Sequence, residues 1–135
     1  MRIDQQRAKD FILAGKCLIT FNNTDTKGQF TFVIRRGWDK LNSKPKDIWW
    51  VSINHDLIGR IVNENFIGKG DVAKDRVQAR EVFAWMWHRI VNLQVPNYIE
   101  MLHPGICGAC GRTLTDAISI HFGIGPECRK KLGIT

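Results

Sequence analysis

Three cysteines within 22 residues near the C-terminus constrain this chain more than any other feature. They are Cys107 and Cys110, in the run Cys-Gly-Ala-Cys, and Cys128, in the run Gly-Pro-Glu-Cys. The surrounding segment, 103–135, is Gly-rich and too short to fold on apolar burial alone, so a metal is expected to hold it. Two cysteines separated by two residues suit a tight knuckle, and the glycines at 108 and 111 allow backbone amides to turn toward thiolates. Pro126 favours the first position of a helix, which puts Cys128 in the first turn of a terminal helix, where its thiolate is expected to be stabilised. In a reducing compartment this pattern reads as metal binding rather than as disulfides.

Tetrahedral Zn²⁺ then calls for a fourth ligand. His103 lies four residues before the knuckle and can fold back onto it. His121 lies seven residues before Cys128, on an expected strand, and is the competitor. The expected metal set is thus His103, Cys107, Cys110 and Cys128, with His121 as the alternative to His103. Such a site reads as structural, because three thiolates make zinc a poor Lewis acid and a catalytic zinc needs an open position beside a general base. Glu127 fits better as a favourable charge at a helix start. Cys17, alternating with Ile19 and Phe21, reads as a core residue.

The run His103-Pro-Gly-Ile-Cys-Gly-Ala-Cys-Gly-Arg-Thr-Leu-Thr, followed by Ser119-Ile120 and Gly123-Ile-Gly-Pro-Glu-Cys128, resembles the C-terminal signature of a family of phage and prophage proteins described as a domain of unknown function. Gly28-Gln-Phe-Thr-Phe, Trp50-Val-Ser, Ile58-Gly-Arg-Ile and Phe83-Ala-Trp resemble its upstream segments. The chain departs from the pattern at Asp116-Ala117, where the family has a Pro-containing turn. The resemblance implies a viral origin and a zinc site, places a histidine where His103 stands, and implies no activity.

The rest of the chain reads as α+β. Residues 4–14 suggest a short helix stopped by Gly15. Alternation at Cys17, Ile19 and Phe21, a polar turn at 23–28, and alternation at Phe30, Phe32 and Ile34 predict a β-hairpin. Residues 35–47 read as a basic loop. Ile48-Trp49-Trp50-Val51-Ser52-Ile53 and Leu57–Val62 complete an antiparallel β-meander of about four strands. Trp49 and Trp50 should point to opposite faces, one toward the long helix and one toward solvent, the N-terminal helix or a partner. Over 72–93, Ala79, Val82, Phe83, Met86, Ile90 and Leu93 form one apolar stripe, predicting a long helix, capped by Asp71, that covers the sheet. The expected organisation is a core domain, 1–100, with a zinc-binding lobe, 101–135, packed on it.

Charge supplies the functional expectation. Twenty Lys and Arg against thirteen Asp and Glu give +7, which favours a polyanionic partner. The cationic candidates are Arg35, Arg36, Lys44 and Lys46 in the basic loop, Arg76 and Arg80 on the helix beside Trp87, and Arg129, Lys130 and Lys131 in the tail. Basic residues next to an exposed Trp could hold phosphate and stack a base; the competing reading is an ordinary solvated helix face. No phosphate-binding loop, dinucleotide fingerprint or nucleophile elbow occurs, so the enzyme class is the weakest. No apolar run reaches the roughly 20 residues of a membrane span, and the N-terminus lacks a signal-peptide core, so a host cytoplasmic location is expected. The expected function is non-catalytic nucleic-acid binding by a phage zinc protein. The alternative is a phage accessory protein that binds and inhibits a host protein.

Overall fold

The computed structural model describes residues 1–134. It is built on a six-stranded sheet in the order β5-β4-β3-β2-β1-β6, with every pairing antiparallel. The strands are β1 (Lys16–Asn23), β2 (Gln29–Asp39), β3 (Lys44–Ile53), β4 (Asp56–Val62), β5 (Asn65–Gly68) and β6 (Ile99–Leu102). Four helices accompany them: α1 (Gln5–Ile12), α2 (Val77–Val91), α3 (Ala117–Phe122) and α4 (Pro126–Leu132).

The meander is therefore longer than expected. Asn63 and Glu64 take φ of 51° and 62°, as Asn54 and His55 take 48° and 69°. Positive φ at both central residues is the condition for a tight two-residue hairpin turn, so β4 folds straight back into β5. That strand is only four residues long and escapes a reading based on alternation. The expected basic loop 35–47 is instead a hairpin, in which β2 runs on to Asp39 and β3 starts at Lys44. Its turn is tied by Asp39 Oδ1, which accepts from the amides of Leu41 and Asn42. Arg35, Arg36, Lys44 and Lys46 are strand residues.

One face of the sheet is buried. Cys17, Ile19 and Phe21 of β1, Phe32 and Ile34 of β2, and Val51 and Ile53 of β3 face α1 and α2. Phe83 of α2 sits among Phe21, Phe32, Phe66 and Trp87, with ring centroids 4.9–6.4 Å away. Trp49 faces inward and its indole N–H donates to the Leu13 carbonyl, whereas Trp50 is 39% exposed on the other side. The two thus part as alternation requires.

The long helix is shorter than its apolar stripe. Lys74–Arg76 is a single 3₁₀ turn, and α2 begins at Val77 with no side-chain cap, so Asp71 is not its N-cap. Leu93 lies beyond the helix with φ 54° and is 54% exposed. At the other end of the chain, Asp4 caps α1 by accepting from the Arg7 amide.

The segment after α2 is continuous with this core. Residues 99–102 form β6, paired with β1, so residue 100 lies within the sheet. Cys107, Leu114, Phe122 and Ile124 belong to the same buried cluster as Phe11 and Ile12.

Candidate metal centre

The knuckle is a small hairpin. Ile106 bridges to Thr113, the Cys107 amide donates to the Arg112 carbonyl, the Gly111 amide to the Cys107 carbonyl, and the Leu114 amide to the Gly105 carbonyl. Gly111 takes φ 80°, as a tight knuckle needs. Gly108 is required for a different reason: a Cβ there would meet the Phe11 ring at 2.7 Å. Gly123, which ends α3 with φ 71°, presses the same ring, its Cβ position lying 2.6 Å away. Phe11 of α1 is thus the floor under both halves of the site. The Gly108 carbonyl also accepts from the Lys16 amide at 2.6 Å, which fastens the knuckle to the start of β1.

Cys128 arrives from the other half. Asp116 caps α3 through the Ser119 amide. A short link leads to Gly125 and Pro126, which open α4, and Cys128 falls in its first turn as the proline predicts. The sulfurs of Cys107, Cys110 and Cys128 then lie within 4.8 Å of one another, and all three cysteines are free. Tetrahedral zinc with Zn–S bonds of about 2.3 Å needs sulfurs about 3.8 Å apart, so the triad fits the ion with small adjustments. The amides of Ala109 and Gly125 point at Cys107 Sγ, each at 3.4 Å.

The protons are distributed unevenly. Burial pushes the Cys107 thiol up, but amide donors from Gly125, Cys110 and Ala109 and the Cys110 side chain outweigh it and bring it down to about 7. Cys128 is pushed up to about 12, by burial first and then by hydrogen bonds and charge from the other two sulfurs. Before a metal binds, the thiol with the lowered pKa is thus Cys107, and Cys128 at the start of α4 keeps its proton.

The structure does not bring His103 to the triad. Its Nδ1 accepts from the Gly105 amide at 3.1 Å, and its Nε2–H donates to the Ile120 carbonyl at 2.7 Å. Both nitrogens are spent, in a ring only 3% exposed and tilted against Phe11. His103 ties α3 to the end of β6. His121 is no ligand either: it sits on α3 rather than on a strand, its side chain is exposed, and it faces Asp4. Beside the three sulfurs lies a cavity of about 280 Å³ that also reaches Asp116, Ser119 and Glu127. A fourth donor can enter from this side.

The expected binding residues are sorted just as sharply. Arg36 donates to the Lys46 carbonyl and to Asp47 and lies over Trp49. Arg76 pairs with Asp56 at 2.7 Å. Arg80 donates to the Lys69 carbonyl, and Arg129 to Ser119 Oγ and the Ile124 carbonyl. Trp87 is 3% exposed and donates to the Glu64 carbonyl, so it cannot stack a base; its periodic position placed it against the sheet. Lys130 and Lys131 are exposed in the last turn of α4, where positive charge complements the helix dipole. Arg35, Lys44 and Lys46 remain free on strands. Sequence reasoning missed Lys16 and Arg60, because only the register of the sheet brings Lys16 beside Arg35 and Arg60 to the far side of Trp50.

Residues 101–133, which hold the whole triad, match a family model described as "Family of unknown function (DUF6011)". No curated protein and no solved structure matches the chain. Among the described residues, no helix is long and apolar enough to cross a membrane.

Proposed function

We propose that this chain is a non-catalytic, zinc-holding phage protein that binds nucleic acid through a basic surface in the host cytoplasm. The zinc is held by Cys107, Cys110 and Cys128, with its fourth position toward the cavity at Asp116 and Glu127. Its work is structural: it joins the knuckle to α4 and so fixes both against Phe11 and the start of β1. The phage origin rests on the resemblance of the Cys-rich motif.

One observation carries the binding reading. On the helical side Arg76, Arg80 and Arg129 are engaged in ion pairs or carbonyl contacts, whereas Lys16, Arg35, Lys46 and Arg60 make no ion pair or side-chain hydrogen bond among the described residues. Free cations gathered on one face are the footprint of a polyanion. Binding should weaken log-linearly with salt, with a slope of roughly −0.7 to −0.9 for each phosphate neutralised. Neutralising Lys16, Arg35, Lys46 and Arg60 together should flatten that slope by about three units, and neutralising Arg76 and Arg80 should leave it unchanged. Equal flattening by both sets would refute this surface.

The second reading, an accessory protein that binds and inhibits a host protein, is favoured by the tip of the β2–β3 hairpin. Trp38 and Leu41 are 56% and 96% exposed there. A complex centred on such an apolar tip should survive moderate salt.

A further inference from the structure

The face of the sheet away from the helices is uncovered, and its composition follows the strand register. Lys16 of β1 is the direct partner of Arg35 in β2, Arg35 of Trp50 in β3, Trp50 of Arg60 in β4, and Arg60 of Ile67 in β5. This single row crosses five strands, a span of about 19 Å at the usual strand spacing. Lys16, Arg35, Trp50, Arg60 and Ile67 are all exposed, and no carboxylate interrupts the row. Lys16 directly opposite Arg35 is a like-charge pair, which costs stability in a sheet. Trp50 is 39% exposed, with a cation on the neighbouring strand on each side. Gly37 leaves room beside the indole, since a Cβ there would lie 3.3 Å from Trp50 Nε1 and 3.5 Å from Lys46 Cβ.

Resting on the nucleic-acid reading, we infer that this row is a platform for single-stranded nucleic acid. Trp50 stacks one unpaired base, Arg35 and Arg60 hold the phosphates on its two sides, and Lys16 and Lys46 extend the charged track. An open sheet with an exposed aromatic offers a π-face to any unpaired base, and the cations follow the backbone without reading sequence. A duplex keeps its base faces stacked on one another, so it can use the cations but not the indole.

The test measures binding of the zinc-loaded chain to labelled oligo-dT, oligo-U and a duplex, by fluorescence anisotropy at ~50 mM salt. Single strands should bind more tightly than duplex, and comparison of the dT and U arms assigns DNA or RNA. Trp50→Ala should weaken single-strand binding roughly 5- to 150-fold and change duplex binding by less than about 2-fold. Trp50→Phe keeps a ring at the same place and should restore most of the affinity. Its unfolding midpoint should match the unsubstituted protein, which separates lost stacking from lost structure. Equal affinity for single strands and duplex, with no effect of Trp50→Ala on either, would overturn the single-strand platform and leave the broader nucleic-acid reading standing. No binding to any of the three would overturn both.

Discussion

The two faces of one sheet carry opposite chemistry at adjacent residues. Ile34 is fully buried and Arg35 is exposed; Val51 is fully buried and Trp50 is exposed. On the covered face no buried side-chain nitrogen or oxygen lacks a hydrogen-bond partner among the described residues, and aromatic rings close around Phe83. On the open face, like charges stand opposite each other with nothing to neutralise them. The lesson is that the covered face is arranged for stability and the open face is not. A feature that costs stability where no packing demands it supports the proposed binding surface.

The sharpest break between the faces is energetic. Phe83→Ala should cost about 3–5 kcal/mol in denaturant unfolding of the metal-loaded protein, since its ring touches four other aromatic rings. Arg35→Gln should instead leave stability unchanged or raise it by up to about 1 kcal/mol, by relieving the repulsion from Lys16. A loss above about 2 kcal/mol at Arg35 would erase the distinction.

The metal corner sharpens the comparison next. Chelation should release the amides of 103–134 to hydrogen exchange while β2–β4 stay protected, because the sheet has its own core. Zinc binding must displace the proton held by Cys128, whose thiol is pushed up to about 12. Affinity should therefore rise by at least about a factor of ten per pH unit near pH 8. Below about 7, where Cys107 is also protonated, the rise should be steeper. A pH-independent affinity would contradict the triad.

Smaller effects are expected at His103. Burial first, and then the N-terminal charge, lower its pKa from the ordinary 6.5, against an opposing contribution from the Ile120 carbonyl. The folded state thus binds fewer protons than the unfolded chain. The stability from the neutral ring is present above about 6.5 and is lost as pH falls below it. His103→Gln should remove that part of the acid sensitivity and still retain one zinc per chain by elemental analysis. Loss of zinc in this variant would restore His103 as the fourth ligand. The smallest effect belongs to Trp87→Phe. It should cost roughly 1 kcal/mol, from the lost bond to the Glu64 carbonyl, and leave nucleic-acid affinity within about 2-fold.

Period-2 alternation made β1, the start of β2, β3 and β4 legible in the sequence, and the apolar stripe revealed α2. The Cys spacing and Pro126 led to the triad and to the helix that carries Cys128. What stayed hidden depends on contacts distant in sequence. The strands β5 and β6 are four residues each, too short for alternation to register. The role of His103 depends on the Ile120 carbonyl and the Gly105 amide, and a histidine four residues from a cysteine knuckle reads as a ligand until those partners are seen. The proposed stacking residue is Trp50 rather than Trp87 for the same reason. Helical spacing put Trp87 beside two arginines in the sequence, while only the strand register puts Trp50 between Arg35 and Arg60.

The most direct test of the open face is amide chemical-shift mapping of the zinc-loaded protein titrated with a short single-stranded oligonucleotide. The account predicts that the largest shifts fall on the strand residues of the cationic row, at 16, 35, 50 and 60, together with the indole N–H of Trp50, while 76–87 on the helical side and 129–131 in the tail stay unperturbed. Shifts concentrated at 76–87 or 129–131, with the row silent, would contradict it.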